Sequence, residues 1–172
     1  MKWKYFTFCI ITLLNISCIL NAQTFWNGSR YGMTIKEIQS LFPNSYTPEK
    51  PDTVKDNRSI GLLTLDEVLI DKESFKVDFF FNNERKLAQV NLTLNTKNSS
   101  LSMFDRFTML LRSKYGQELS NKVDDLFAWK IYSAIWTSDK TNINLVYTIS
   151  FEEPLLFSII YSVDLFETTK KL

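Results

Sequence analysis

The sequence has 172 residues, with 20 Lys and Arg against 19 Asp and Glu, and 45% of its residues are hydrophobic. This length and composition predict one folded domain, or two small repeats that share a core, rather than a disordered chain. The net charge of +1 argues against a nucleic-acid-binding protein, because such proteins carry a strong basic excess.

The first 22 residues have the pattern of a secretory signal peptide. Two lysines, at positions 2 and 4, precede an apolar stretch over residues 5–14, and a more polar region leads to Ala22 and Gln23. Signal peptidase requires a small residue before the cut, so we expect cleavage between Ala22 and Gln23. The sequence therefore predicts an exported protein that works in the periplasm or outside the cell.

Two other interpretations of this segment stay open. The run Leu14-Asn15-Ile16-Ser17-Cys18 partly matches a lipobox, which would make Cys18 a lipid anchor and the protein an outer-membrane lipoprotein, although Asn15 stands where leucine is usual. The segment would act as an uncleaved membrane anchor if it spanned a bilayer. Spanning needs about 20 apolar residues, and Asn15 and Ser17 interrupt the run.

The predicted mature chain contains neither cysteine nor histidine. Both cysteines, Cys9 and Cys18, lie in the signal segment, and loss of that segment leaves 18 basic and 19 acidic residues. Histidine is the usual general base near neutral pH, and cysteine is the usual thiol nucleophile and soft metal ligand. This absence excludes Ser-His-Asp and Cys-His catalysis, Cys/His zinc sites and thiol redox chemistry. We therefore expect no catalytic residue, no metal and no cofactor.

Carboxylate pairs, Ser-Lys dyads and oxygen-ligand metal sites are the catalytic options that this composition leaves. Asp124-Asp125 and Glu152-Glu153 are adjacent pairs, and adjacent residues of a strand point to opposite faces. We expect Asp124-Asp125 in a polar loop over residues 117–125, and Glu152-Glu153-Pro154 in a hairpin turn. A carboxylate-based hydrolase is therefore less favoured than a binding function.

The first half of the mature chain predicts a helix and three strands. Thr34 and Glu37 form a capping-box pattern before apolar residues at helical spacing, and Pro43 ends the helix. A polar segment over residues 44–59 predicts a long loop. Strands are predicted over 60–70, 75–81 and 87–94, and the alternation in the last of them indicates one buried and one wet face.

The second half repeats this order. Ser99 or Ser100 caps a helix that ends at Gly116, where positive φ is needed, and strands are predicted over 127–137, 142–151 and 155–163. The predicted fold is α+β: two helix-plus-three-strand units that form an antiparallel sheet with the helices on one face. Their similar lengths suggest a tandem repeat over residues 31–96 and 101–165.

Short motifs in both halves resemble those of a known group. Tyr31-Gly32-Met33-Thr34 and Leu41-Phe42-Pro43 are similar to the GMS/GMT helix-entry motif of small exported bacterial proteins, and Lys114-Tyr115-Gly116, Trp136 and Ile159-Ile160-Tyr161 have counterparts there. Such proteins look like relatives of the β-lactamase-inhibitor-protein fold and of small outer-membrane assembly lipoproteins. The resemblance implies binding to other envelope proteins, and it carries over no catalytic residue.

Aromatic residues provide the candidate partner surface, because they are enriched at interface hot spots. Trp129, Tyr132 and Trp136 lie in one predicted strand, where Tyr132 shares a face with Trp136 and Trp129 takes the other face. We expect a non-enzymatic module that binds an envelope or extracellular protein. The alternative is a carrier or sensor of a small apolar ligand, which requires a closed apolar pocket of about 300 Å³ or more.

The signal-peptide interpretation predicts a defined mature end. Intact-mass measurement of the protein from its native host should give a chain that begins at Gln23. A mass that fits a chain beginning at a lipid-modified Cys18, or a chain that keeps Met1, would contradict cleavage after Ala22.

Overall fold

The computed structural model describes residues 23–55, 58–96, 98–151 and 153–163. The first half of this structure contains α1 (Ile35–Leu41), β1 (Thr53–Val54), β2 (Ser59–Ile70), β3 (Glu73–Phe81) and β4 (Leu87–Leu94). The second half contains α2 (Leu101–Tyr115), β5 (Ser120–Leu126), β6 (Trp129–Ser138), β7 (Thr141–Ser150) and β8 (Glu153–Val163). The predicted signal peptide and the alternative lipidation site Cys18 lie outside the described residues. No helix in the described ranges is both long and apolar enough to cross a membrane.

The strands of the described chain form one curled, half-barrel sheet in the order β1-β2-β3-β4-β8-β7-β6-β5. Every neighbouring pair is antiparallel. Two meanders, β1–β4 and β5–β8, therefore meet at the centre through β4 and β8, where Val90 pairs with Tyr161 and Leu92 with Ile159. The helix that connects the meanders, α2, crosses one face of the sheet.

The predicted fold of two helix-plus-three-strand α+β units is wrong. The described structure is mostly β, with eight strands and only 16% helix. The two additional strands lie in segments predicted as loops: β1 in residues 44–59 and β5 in residues 117–125. β5 is an edge strand whose side chains are exposed or half-buried throughout, so its sequence lacks the apolar alternation that identifies a strand. The tandem repeat over 31–96 and 101–165 stays a prediction.

The ends of both helices match their sequence signals. At α1 the Thr34 hydroxyl accepts a hydrogen bond from the Glu37 backbone N–H, and the Glu37 carboxylate accepts one from the Thr34 backbone N–H, which confirms the capping box. At α2 the Ser100 hydroxyl accepts from the Met103 N–H, and Gly116 ends the helix at φ +82°. These interactions are local, because each joins residues within a few positions of the helix end.

Aromatic rings connect α2 to both halves of the sheet. The ring of Phe107 on α2 lies 5.4 Å from Phe75 of β3 and 5.4 Å from Phe157 of β8, both in edge-on geometry. Tyr147 of β7 continues this chain of contacts, and its hydroxyl donates a hydrogen bond to the Ser99 carbonyl. The core is therefore continuous across the β4–β8 junction, and α2 covers its centre.

The three consecutive phenylalanines of β3 are all buried, so both faces of the sheet are covered at that point. Phe79 and Phe81 face the helices, whereas Phe80 faces the opposite side over Gly61. The segment that precedes β2 runs along the edge of that strand: the Gly61 N–H donates to the Asp52 carbonyl, and Tyr46 pairs with Thr64. The segment predicted as a loop thus supplies backbone hydrogen bonds to the free edge of β2.

A buried carboxylate fixes the connection between α2 and β5. The Arg112 guanidinium donates to both oxygens of Glu118 at 2.8 and 2.5 Å, and nearby the Trp136 indole N–H donates to the Gly116 carbonyl at 3.0 Å. The hydrogen bond from Arg112 lowers the pKa of Glu118 to about 2. The charged carboxylate therefore stabilises the folded state.

This depressed pKa gives the folding stability a defined pH dependence. The contribution of Glu118 is complete above its ordinary pKa of about 4.5, and it is lost as the pH falls towards 2. Glu118→Gln should lower the free energy of unfolding at pH 7, and the difference from the wild type should shrink between pH 4.5 and pH 2 in urea titrations. Glu49→Gln, at an exposed position, is the control for loss of a negative charge. A difference that stays constant across this pH range would contradict the assignment.

Candidate functional site

The hairpins β5–β6 and β7–β8 extend beyond the core at the same end of the sheet. Leu126 pairs with Trp129 across the first turn, and Trp129 pairs in turn with Ser150 at the end of β7. The turn at residues 127–128 therefore lies beside the turn that follows Ser150. Along β6, fully buried side chains begin only at Ser133, so the last rows of these strands are not packed against α2.

The side chains at this end form an exposed apolar surface. We name it the hairpin patch and define it by Leu126, Phe127, Trp129, Phe151 and Leu155, whose exposed fractions are 55, 107, 52, 80 and 56%. Single exposed apolar residues are ordinary, but adjacent groups of them mark interaction surfaces. The hairpin patch is therefore the candidate functional site.

A shallow depression of about 190 Å³ lies within the hairpin patch, and its wall includes Phe127, Trp129 and Phe151. Its edge is polar: the Lys130 ammonium lies 3.0 Å from an Asp125 carboxylate oxygen. The hydrogen bond and the charge of Asp125 raise the pKa of Lys130 above its ordinary value. An apolar centre with a charged edge is the usual anatomy of a protein interface.

Phe151 occupies an unfavourable backbone conformation. Its φ is +47°, in the left-handed region, where bulky side chains are rarely found. The comparable turns 71–72 and 139–140 place Asp and Lys, not aromatic residues, at positive φ. A large, exposed aromatic side chain at such a position does not serve the fold, and strain of this kind clusters at functional sites.

The structure separates the three aromatic residues that the sequence singled out. Trp129 belongs to the hairpin patch. Tyr132 lies on the other face of β6, under α2, where its ring is 5.7 Å from Tyr147 and 6.0 Å from Phe104. Trp136 is 1% exposed and belongs to the core. Trp129 and Trp136 therefore lie on opposite faces, as their spacing predicts.

Sequence reasoning missed Phe127 and Phe151, the two most exposed members of the patch. They were expected to be the first residue of one strand and the last residue of another, but each lies in a turn. The available signal was their position next to turn-forming residues: Phe127 follows a polar run, and Phe151 precedes Glu-Glu-Pro.

The acidic pairs do not form a converging carboxylate site in the described structure. Asp124 and Asp125 lie within β5, not in a loop, and project to opposite faces, where each pairs with a lysine, Lys122 at 3.2 Å and Lys130 at 3.0 Å. Glu153 begins β8, and Glu152 lies outside the described residues. No group of three or more Asp or Glu residues in the described ranges is arranged to hold a metal ion.

No family model and no curated protein sequence matches this chain. Among solved structures, the chain is similar to the crystal structure of a DUF4309 family protein (YjgB) from Bacillus subtilis, with 11% sequence identity and a TM-score of 0.40. The similarity covers 76% of this chain and 78% of that one. At this TM-score, the similarity assigns neither the family nor the function of the present chain.

The conformation of Phe151 predicts a substitution that stabilises the protein. Phe151→Asn should raise the free energy of unfolding by about 1 kcal/mol, because asparagine tolerates the left-handed region and little packing is lost at this exposed position. Phe127→Asn is the matched control: it removes an equally exposed aromatic ring from a turn without positive φ, and should change stability by less than about 0.5 kcal/mol. Urea unfolding measures both. Equal effects of the two substitutions would show that Phe151 is not strained.

Proposed function

We propose that this protein is an exported, non-enzymatic module that binds another envelope or extracellular protein through the hairpin patch. The observation that carries the proposal is the combination of exposure and strain at one place. Four large apolar side chains of the patch line one depression at the end of two hairpins, and one of them, Phe151, occupies a backbone conformation that disfavours it. Fold stability alone would select polar residues at these positions.

Aromatic residues suit this role chemically. Phe127, Trp129 and Phe151 have few rotatable bonds, so fixing them against a partner costs little conformational entropy, and each can bury a large apolar area. Because they project from hairpins that continue into the packed sheet, the surface is positioned before binding. The partner surface that complements them is an apolar groove or pocket on a folded protein.

The surrounding charges favour a protein over an anionic lipid surface. Asp124, Asp125 and Glu153 lie in the two hairpins, and the lysines that pair with the aspartates, Lys122 and Lys130, leave no basic excess there. Anionic membranes attract segments with a basic excess. The export signal proposed for residues 1–22 would bring this surface to partners outside the cytoplasm.

A second candidate function, the carrying of a small ligand, is favoured by one specific observation. A largely apolar cavity of about 390 Å³ lies between α2 and the sheet, within the size range of small-molecule sites, but it is open to solvent and so is not the closed pocket that the sequence-based hypothesis required. This cavity is distinct from the hairpin patch, and the two functions are compatible.

Site-specific photocrosslinking in the producing organism tests the protein-binding proposal. Replacing Phe127 or Phe151 with p-benzoylphenylalanine keeps an aromatic ring in the patch, and should give a discrete adduct with a protein that mass spectrometry identifies. The same residue at Leu119, which is 73% exposed at the opposite end of β5, is the matched control and should give no such adduct.

The identified partner is then tested with purified proteins. The double variant Phe127→Asn, Phe151→Asn should weaken its binding at least about tenfold, because each lost anchor costs more than about 1 kcal/mol at a hot spot, while the fold stays intact. The proposal is contradicted if positions 119 and 127 give the same adducts, if the adducts contain lipid only, or if the double variant binds as the wild type does.

A further inference from the structure

The cavity between α2 and the sheet is built at the junction of the two meanders. Its floor is formed by Leu92 of β4 with Ile159 and Tyr161 of β8, and its roof by Phe107 and Leu111 of α2. The remaining wall is formed by Trp26 and Ile70, together with Leu110 and Lys114 of α2. The cavity measures about 390 Å³ and is open to solvent on one side, where its lining residues Asp71, Leu110 and Lys114 are exposed.

The wall is apolar, whereas the charged lining is restricted to two residues, Asp71 and Lys114. The Arg106 guanidinium donates to the Asp71 carboxylate at 2.6 Å, and it also pairs with Glu73, so two carboxylates share one positive charge. Lys114 makes no salt bridge to any described residue, and its ammonium lies 4.9 Å from the centre of the Tyr115 ring. Of the two charged residues that line the cavity, Lys114 is therefore the one without a salt bridge in the described chain.

We propose that this cavity binds a small amphipathic anion, with its hydrocarbon body between α2 and the β4–β8 junction and its anionic head at Lys114. The apolar wall fits a hydrocarbon chain or ring, and the ammonium supplies a charge-assisted hydrogen bond to a carboxylate or similar group. The proposal gives a ligand class to the second candidate function and does not depend on the hairpin patch.

The remaining polar groups near the cavity are engaged within the protein. The second Arg106 nitrogen donates to Glu73 at 2.5 Å, and the Tyr161 hydroxyl is buried and hydrogen-bonded to Tyr115. Burial raises the pKa of Tyr161 well above its ordinary value, so this hydroxyl stays neutral. The head group is therefore assigned to Lys114, not to a residue deeper in the cavity.

Isothermal titration calorimetry of residues 23–172 with three matched probes tests the proposal. Decanoate, decanol and decyltrimethylammonium have the same alkyl chain and differ in head-group charge. Decanoate, used where it is monomeric, should bind one molecule per chain with a sub-millimolar dissociation constant. Decanol should bind more weakly, and decyltrimethylammonium most weakly, because Lys114 repels its head group.

Two pairs of variants locate the ligand. Leu110→Trp places an indole in the cavity and should weaken decanoate binding roughly tenfold or more, whereas Met109→Trp, on the exposed face of the same helix, should leave it unchanged. Lys114→Gln should weaken decanoate binding about threefold to fivefold and leave decanol binding unchanged. Lys36→Gln, on α1, is the charge control and should have no effect.

Several results would overturn the proposal. They are the absence of saturable decanoate binding, equal affinities for the three probes, or decanoate binding that Leu110→Trp or Lys114→Gln leaves intact. The Phe127→Asn, Phe151→Asn variant should bind decanoate normally. Loss of partner binding without loss of decanoate binding therefore separates the failure of one site from the failure of the other.

Discussion

The pairing of β4 with β8 is the interaction on which the rest of this structure depends. It joins residues roughly 70 positions apart in sequence, such as Val90 and Tyr161, and turns two local meanders into one sheet. Each meander can form from short-range hairpins, but neither alone buries the face that α2 covers. Closing the junction places Phe107 of α2 between Phe75 of one meander and Phe157 of the other.

This central closure also explains where the two candidate sites occur. α2 packs against β6 and β7, and the cavity over Leu92 and Ile159 lies between this helix and the sheet. The same helix leaves the turn ends of β5–β8 uncovered, because Phe127, Trp129 and Phe151 are exposed there. Those ends continue past the core, where their side chains contribute little to folding, and large apolar residues persist there. We propose that selection for binding retains these exposed apolar residues, although they do not stabilise the fold.

The sequence indicated what type of candidate site to expect, but not which residues form it. Aromatic content in the last strands indicated a partner surface, and the spacing of Trp129 and Trp136 correctly placed them on opposite faces. Which face is open depends on where α2 lies, and that is a tertiary property. The sequence-based choice therefore included Tyr132 and Trp136, which pack beneath or beside α2, and omitted Phe127 and Phe151, whose exposure depends on the exact turn positions.

The sequence by itself determined the features that rest on local interactions. These are the capping box of Thr34 and Glu37 and the ends of α2 at Ser100 and Gly116, because hydrogen bonds and φ preferences act over a few residues. Only the tertiary structure decided that β1 and β5 are strands, that β4 pairs with β8, and that a cavity lies beneath α2. Edge strands and junctions depend on partners far away in the chain, so their own residues carry no local pattern that specifies them.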